Sequence, residues 1–169
     1  MSLINPAKER FPHADIGIGA EAPDFNLPRD GGGRVSLTEF KGKPLVLFFY
    51  PKDDTAGCTA ESIGFTELAA EFEKAGAALV GMSPDSVKCH DRFIKKHNLA
   101  VALASDEEKT VLQAYGVWKQ KSMYGRTYMG VERTTFLIRA DGTIATIWQK
   151  VKVPGHAEAV LKAVLDLAA

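Results

Sequence analysis

The amino-acid sequence predicts an α/β protein with a central mixed β-sheet flanked by helices. Short apolar runs with strand character alternate with segments of helical period, in the order β-α-β-α, a small insertion, and then β-β-α. A chain of 169 residues is within the usual size of one domain, and neither a repeat nor a linker divides it. We therefore expect one domain over residues 20–169, preceded by an extended arm over residues 1–19.

The N-terminal part contains a glycine cluster at residues 31–33, flanked by short extended segments at 25–27 and 35–37. Consecutive glycines favour a turn, so two extended pieces joined by a turn are predicted. No Lys-Ser or Lys-Thr pair follows these glycines as it does in a phosphate-binding loop. The cluster therefore gives no indication of a nucleotide site.

Cys58 lies between a predicted strand and a predicted helix. Residues 45–50 form a short apolar run that ends at Pro51, which is typical of a strand buried on both faces. Over residues 59–74, apolar side chains recur at i, i+3, i+4 and i+7 and predict an amphipathic helix; they are Phe65, Leu68, Ala69 and Phe72. We therefore expect Cys58 at or near the first turn of this helix.

Strands and helices continue to alternate further along the chain. The pattern predicts a strand at 77–82, a helix at 86–97, a strand at 101–104 and a helix at 107–115. Residues 117–129 are polar and are predicted to be irregular.

The C-terminal part is predicted to be a β-hairpin followed by a helix. Strands at 134–139 and 143–149 are joined by Asp141-Gly142, which is a strong hairpin signal. From Ala157, apolar residues keep the helical period to the C-terminus and predict the last helix.

The position of Cys58 points to chemistry. Free N–H groups and the positive end of the helix dipole favour an anion at a helix N-terminus, so a thiol there tends to ionise to the nucleophilic thiolate. The alternative is a small buried side chain, which is the common state of an unpaired cysteine. The combination of strand, proline turn and helix start favours the reactive role.

Composition excludes several classes of partner. Lys and Arg number 21, as do Asp and Glu, so no strong field directs the protein to nucleic acid or an anionic membrane. No apolar run approaches the roughly 20 residues of a membrane span, and no signal-peptide pattern is present. Two cysteines suit a reducing compartment better than a disulfide scaffold. We expect a soluble, cytoplasmic protein with a small neutral substrate.

No cofactor and no metal site are predicted. The histidines at positions 13, 90, 97 and 156 have no short ligand spacing to one another or to Cys58. Trp118 and Trp148 are interpreted as core or rim aromatic residues rather than as part of a cofactor pocket.

The predicted order of elements, with a cysteine at the first helix of the core unit, resembles the thioredoxin fold. The motif Pro51-x-x-x-Thr55-x-x-Cys58 is similar to the active-site motif of the peroxiredoxins. Further segments extend the resemblance over residues 20–169; they are 22–25, 83–86 and 132–138. With 123–125 and 150–152, the sequence most resembles the bacterioferritin-comigratory, or Q-type, subfamily of the alkyl hydroperoxide reductase and thiol-specific antioxidant family.

This resemblance implies a thiol-dependent peroxidase that reduces hydrogen peroxide and alkyl hydroperoxides to water and alcohols. The Cys58 thiolate is expected to attack one peroxide oxygen and to become a sulfenic acid, which a thiol must then reduce before further oxidation. The reductant implied is thioredoxin, glutaredoxin or another thiol. The resemblance also allows a monomer or a weak homodimer.

Three residues near Cys58 are expected to be catalytic. Arg133 is suited to stabilising the thiolate and donating to peroxide oxygens, although a surface ion pair with Glu132 is the alternative. Thr55 can place its hydroxyl beside the sulfur, or else cap the helix. Pro51 fixes the turn and, by the resemblance, shields the sulfur from water, or else only ends the strand.

Cys89 is a candidate resolving cysteine. The two places where Q-type members carry that cysteine are occupied by Ile63 and Ile94. Cys89 lies on the helix of Ile94, and a disulfide with Cys58 needs Cα atoms within about 7 Å, so the Cys58 helix turn would have to unwind. The alternative is a packed core cysteine on the face of Phe93. In that case an external thiol resolves Cys58.

Two other functions compete with the peroxidase. A non-catalytic binding or holdase module of the same fold would have Cys58 merely packed in the core. A general disulfide oxidoreductase usually needs a Cys-x-x-Cys pair, but Glu61 occupies the second position.

Overall fold

The computed structural model describes residues 16–168. The prediction of an extended arm over residues 1–19 therefore lies mostly outside the described residues. The strands β1 to β9 are, in order, Asn26–Pro28, Arg34–Ser36, Leu45–Phe49, Ala78–Ser83, Ala102–Ser105, Trp118–Met123, Arg126–Val131, Thr134–Ile138 and Ile144–Trp148. The helices α1 to α5 are Ala56–Glu67, Ala69–Lys74, Val87–His97, Thr110–Ala114 and His156–Ala168.

Five strands form the central sheet, in the order β5-β4-β3-β8-β9. Strand β4 runs parallel to both β3 and β5, whereas β8 is antiparallel to both β3 and β9. The predicted mixed sheet with flanking helices is thus confirmed. Strand β3 lies in the middle and is buried along its whole length, as its apolar sequence predicts.

The side chains of β3 alternate between two faces and enter two clusters. On one face, Phe48 packs with helices α1, α2, α3 and α5, which contribute Phe65, Phe72, Phe93 and Val160. On the other face, Phe49 packs with β2, α4 and β7, which contribute Val35, Leu112 and Val131. Cys58 belongs to the first cluster. The reactive sulfur therefore lies on the helical side of the sheet.

The helix predicted over residues 59–74 is divided at Leu68 into α1 and α2. Leu68 has φ −102° and ψ 6°, outside helical geometry, and its amide donates to the carbonyl of Phe65. Phe65 and Phe72 nevertheless both reach the core. The apolar stripe continues on both sides of Leu68, so the helical period of the sequence does not reveal the break. Helix α1 also begins three residues earlier than predicted, which places Cys58 inside its first turn.

The prediction that residues 117–129 are irregular is wrong. They contribute β6 and most of β7, an antiparallel hairpin paired from Trp118 with Val131 to Met123 with Arg126. Tyr124 and Gly125 form the loop with φ 52° and 75°, the positive values that a two-residue hairpin turn of type I′ requires. Most of its side chains are exposed or half-buried, so no apolar alternation marks the strands.

Parallel pairing brings the two cysteine-bearing helices to one edge of the sheet. Strands β3 and β4 run side by side, and each is followed by its helix, α1 with Cys58 or α3 with Cys89. Within residues 16–168, none of the helices combines the length and apolar character needed to cross a bilayer.

Candidate active site

Cys58 is the third residue of α1, and its side chain is 1% exposed. The first amide of this helix with a backbone acceptor is that of Thr59, which donates to the Thr55 carbonyl. The amides of residues 56–58 therefore remain available as donors at the positive end of the helix. This position surrounds the sulfur of Cys58 with free donors and a positive potential, and its burial separates the sulfur from bulk solvent.

Arg133 contacts the sulfur of Cys58 from the connection between β7 and β8. It directly precedes β8, and its Nη2 donates to Sγ of Cys58 at 3.3 Å, while its Nη1 donates to Oε1 of Glu61 at 2.7 Å. Glu132 instead binds Lys119 at 2.9 Å, so the expected alternative of a Glu132–Arg133 surface pair is not formed. The permanently charged guanidinium is placed to stabilise a thiolate.

Gly57 leaves space for the guanidinium of Arg133. A Cβ atom on Gly57 would lie 3.0 Å from Nη2 of Arg133. A residue with a side chain would therefore push the arginine away from the sulfur of Cys58. The requirement is for space, because the residue lies within the regular helix α1.

Glu61 is a site residue that sequence reasoning missed. It lies three residues after Cys58, on the same side of α1, and is almost completely buried. Burial raises the pKa of its carboxyl to about 7, although the charge and hydrogen bond of Arg133 act in the opposite direction. Its Oε2 has no hydrogen-bond partner among residues 16–168. The i, i+3 spacing from Cys58 was the signal that could have found it.

Thr55 and Pro51 lie in the loop that joins β3 to α1. Thr55 occupies the N-cap position of α1, but its side chain makes no capping bond; its Oγ1 donates to the carbonyl of Lys52 at 2.8 Å. Pro51 is half-buried and follows the fully buried Tyr50. In the described part of the chain, Arg133 is the only hydrogen-bonding partner of the Cys58 sulfur.

A buried polar network lies beneath this loop. Asp53 accepts from the hydroxyl of Tyr50 at 2.6 Å through Oδ1, and its Oδ2 lies 2.7 Å from Nδ1 of His90. Nε2 of His90 is 3.0 Å from the Ala104 carbonyl, which can only accept, so this nitrogen carries a proton. Burial lowers the pKa of His90, but Asp53 and the carbonyl outweigh it and raise the pKa overall. His90 and Asp53 therefore form a buried ion pair.

Asp85 extends the network towards β4. Its Oδ2 accepts from the amide of Asp53 at 2.8 Å and from the hydroxyl of Ser83 at 2.6 Å. Ligand atoms of Asp53, Asp85 and His90 lie within 4.8 Å of one another, a grouping the sequence spacing did not predict. Because both nitrogens of His90 act as donors, its ring offers no lone pair to a metal ion.

Cys89 is half-buried on α3 and is not packed in the core. Its amide donates to the N-cap oxygen of Ser86 at 3.2 Å, and Nη2 of Arg92 donates to its sulfur at 3.3 Å. Hydrogen bonds of Ser86 and Arg92 lower the pKa of the thiol. Phe93, one turn further on, is the residue of this face that packs in the core. Cys89 instead lines a surface cavity of about 410 Å³.

Lys121 adds a second cation near the site. It pairs with Tyr128 across the hairpin, and its side chain extends diagonally over Gly130, where a Cβ would lie 3.2 Å from its Cδ. Burial and the charge of Arg133 lower the pKa of Lys121, whereas Cys58 raises it. Lys121 thus lies in the electrostatic field of the site. Sequence reasoning missed this residue because it lies in the segment predicted to be irregular.

The sheet and helices have the thioredoxin-like arrangement, and a buried sulfur facing a fixed positive charge defines a protein that reacts through cysteine. Residues 18–147 match the family model described as the AhpC/TSA family. The chain therefore belongs to the AhpC/TSA family. This finding confirms the resemblance stated from the sequence.

Individual relatives agree with the family model. The chain is 49% identical over 146 residues to the putative peroxiredoxin Bcp of Coxiella burnetii, covering 86% of this chain and 97% of that protein. It is 44% identical over 152 residues to peroxiredoxin Bcp of Bacillus subtilis, covering 90% and 97%. A structure of the Xanthomonas campestris bacterioferritin comigratory protein, from work on its alkyl peroxide reduction activity, matches with a TM-score of 0.84 and 43% identity, covering 92% and 99%.

These matches confirm the expected class of activity. The protein is a thiol-dependent peroxidase, an oxidoreductase that acts on peroxides with electrons from a thiol. No observation favours the alternative of a non-catalytic binding or holdase module.

Proposed function

We propose that the protein reduces hydrogen peroxide and alkyl hydroperoxides through Cys58, which becomes a sulfenic acid. The observation that carries this proposal is the 3.3 Å contact between Nη2 of Arg133 and Sγ of Cys58. A fixed cation beside a buried sulfur favours the thiolate, which is the nucleophilic form. Burial limits approach to small substrates with an accessible O–O bond.

In the proposed reaction, the Cys58 thiolate attacks the terminal peroxide oxygen. The S–O bond forms as the O–O bond breaks, which gives Cys58–SOH and a hydroxide or alkoxide that takes a proton to become water or alcohol. Negative charge moves from the sulfur to the departing oxygen during this step. Arg133 and the free amides of residues 56–58 are donors that stabilise both arrangements of charge.

Thr55 and Pro51 complete the proposed catalytic set. The Thr55 hydroxyl donates its proton to the Lys52 carbonyl, so the lone pairs of its oxygen can accept from the O–H of a hydroperoxide. This contact orients the terminal oxygen towards the sulfur of Cys58. Pro51 fixes the start of the loop and supplies no N–H that would hold water near the thiolate.

We further propose that Cys89 resolves the sulfenic acid. Its thiolate attacks the sulfur of Cys58–SOH, which forms the disulfide and releases hydroxide. The lowered pKa of Cys89 and its partial exposure support this role. A dithiol reductant such as thioredoxin or glutaredoxin then returns both cysteines to thiols by disulfide exchange. The proposed setting is the cytoplasm, with a monomeric or weakly dimeric protein whose single domain spans residues 20–169.

Intact-mass analysis and thiol counting after one equivalent of hydrogen peroxide test this cycle. We expect a monomer-sized product that has lost two hydrogens and both thiols. Cys89→Ser should instead gain one oxygen and keep no free thiol other than any unreacted Cys58. Peroxide reduction by Cys58→Ser at the wild-type rate would refute the role of Cys58, and a wild-type product that gains one oxygen and keeps one free thiol would refute the role of Cys89.

A further inference from the structure

The helix that carries Cys89 is fastened to the loop that precedes Cys58. His90, the neighbour of Cys89, binds Asp53 of this loop through the buried contact of 2.7 Å. Neither side chain has appreciable exposure, at 0% for His90 and 6% for Asp53. A buried ion pair depends strongly on both partners, because loss of one leaves an unpaired charge away from water.

Asp53 and His90 are each fixed by further hydrogen bonds. Tyr50 donates to Asp53, and the Asp53 amide donates to Asp85, which follows β4. His90 is fixed to β5 by its contact with the Ala104 carbonyl. The ion pair therefore connects the loop to residues that are themselves hydrogen-bonded to the central sheet.

A second contact joins the same two elements at the surface. Asp54 accepts from Nζ of Lys96 at 2.7 Å and lies 2.8 Å from Nε2 of His97. The Asp54 side chain is 42% exposed, so solvent weakens these bonds. The loop therefore has one strong, buried attachment to α3 and one weak, exposed attachment.

Disulfide formation requires this loop to move. Cys58 is buried within the first turn of α1, whereas Cys89 lines a surface cavity whose walls do not include Cys58. Both sulfurs are free and each accepts from a different arginine. For the sulfurs to come within 2.05 Å, the first turn of α1 must unwind and carry the preceding loop with it.

We propose that Asp53 and His90 form a latch that holds the Cys58 loop closed against the Cys89 helix and must open before the two cysteines can join. This inference rests on the proposed role of Cys89 as the resolving cysteine. Asp53 and His90 are positioning residues in this scheme. They act on the lifetime of the sulfenic acid and not on the peroxide itself.

The latch also determines which of two reactions the sulfenic acid of Cys58 undergoes. While it is closed, the sulfenic acid can react with a second peroxide, in which Cys58–SO⁻ and H₂O₂ give Cys58–SO₂⁻ and water. Once it opens, Cys89 attacks the sulfenic sulfur and the disulfide forms. A weaker latch therefore speeds resolution and protects Cys58 from the sulfinic state.

Two variants with a matched control test this balance. Asp53→Asn removes the charge with little change of shape, and His90→Gln removes the imidazolium, whereas His97→Gln alters the exposed contact on the same helix. We expect rapid-quench mass analysis to show disulfide formation from the sulfenic acid about tenfold faster in the first two variants, because a charge-assisted hydrogen bond is lost from the closed state. His97→Gln should change this rate less than twofold.

The direction of the effect separates a latch from a merely structural contact. A structural defect lowers stability and slows each step, whereas release of a latch accelerates one step and lowers the sulfinic fraction at high peroxide. The latch is refuted if the wild type forms the Cys58–Cys89 disulfide and both folded variants form it at the wild-type rate or more slowly. If the wild type forms no such disulfide, the proposed role of Cys89 fails instead.

Hydrogen exchange of the wild-type protein gives a test that needs neither folded variants nor a disulfide. The amide of Asp53, bonded to Asp85, and the amide of His90, bonded to the Ser86 carbonyl, report on the loop and on α3. Opening of the latch frees the loop while α3 stays folded, so the amide of Asp53 should exchange with a lower opening free energy than the amide of His90. Exchange of the Asp53 amide only at the opening free energy of the His90 amide would contradict the latch.

Discussion

Arg133 joins Glu61 and Cys58, two acids on one helix face, through the two terminal nitrogens of a single guanidinium. The contacts are 2.7 Å to the carboxylate and 3.3 Å to the sulfur. One positive charge cannot fully compensate two negative charges in a buried site, so Glu61 and Cys58 compete for it. The guanidinium of Arg133 is therefore shared between the carboxyl of Glu61 and the sulfur of Cys58.

Replacement of Arg133 should remove most of the peroxidase activity. We expect Arg133→Gln to lower kcat/KM for hydrogen peroxide by about 100-fold, the usual effect of losing one donor to a developing charge. Lys119→Met is the matched control, because it removes a neighbouring cation that binds Glu132 and not the sulfur. A loss within threefold for Arg133→Gln in steady-state assays would contradict the role of the guanidinium.

Gly57→Ala should lower activity without lowering stability. Alanine favours a helix more than glycine does, but its Cβ would lie 3.0 Å from Nη2 of Arg133 and displace the guanidinium. We expect a loss of about tenfold in kcat/KM together with an unchanged or higher Tm. Gly64→Ala, on the same helix, meets Ala157 at an ordinary 3.5 Å and serves as the control, with full activity expected.

Lys121 should contribute more weakly than Arg133. The positive charge of its ammonium interacts with the sulfur of Cys58 through space, without a direct hydrogen bond to it. We expect Lys121→Met to lower the rate of Cys58 alkylation by iodoacetamide at neutral pH by about threefold, and Lys121→Arg to restore it. Equal alkylation rates in all three proteins would show that the charge has no effect on the thiolate.

The sequence predicted where the candidate site residues that are close together in the chain would lie. Pro51, Thr55 and Cys58 follow a buried strand and begin a helix, and each of these features is encoded by neighbouring residues. The mixed sheet followed from the apolar runs and from the Asp141-Gly142 turn for the same reason. The thioredoxin-like arrangement was therefore predictable without any contact between distant residues.

The parts that the sequence did not predict depend on distant contacts or on exposed strands. Asp53 and His90 are separated by 37 positions and meet only because β3 and β4 are parallel. The hairpin that carries Lys121 has polar side chains on both faces, so it lacks the alternation that marks a half-buried strand. Glu61 was accessible in principle from its spacing to Cys58, but its pairing with Arg133 required the tertiary fold.

Glu61 should make the folded protein less stable as the pH rises. Its folded pKa is about 7 against an ordinary value of 4.5, so its contribution is fully present below pH 4.5 and is lost as the pH rises through 7. We expect the free energy of unfolding of the wild type, relative to Glu61→Gln, to fall by roughly 1–3 kcal/mol between pH 4.5 and pH 7.5. Urea unfolding at both pH values measures this difference, and a constant difference would rule out the raised pKa.

His156 should have the opposite effect over nearly the same range. Burial and then the charge of Arg133 lower its pKa to about 4, and its Nε2 is hydrogen-bonded to Oγ1 of Thr135 at 2.8 Å. Between pH 6.5 and pH 4 the unfolded chain binds a proton that the folded protein does not, so the stabilisation present above pH 6.5 is lost as the pH falls through 4.

His156→Gln keeps a hydrogen-bonding partner for Thr135 but does not titrate. We expect the wild type to lose roughly 2–3 kcal/mol of unfolding free energy relative to this variant between pH 7 and pH 4, measured by urea unfolding. Because the effects of Glu61 and His156 oppose each other, the wild type should show a flatter profile than either variant. A wild-type profile as steep as that of Glu61→Gln or His156→Gln would contradict this cancellation.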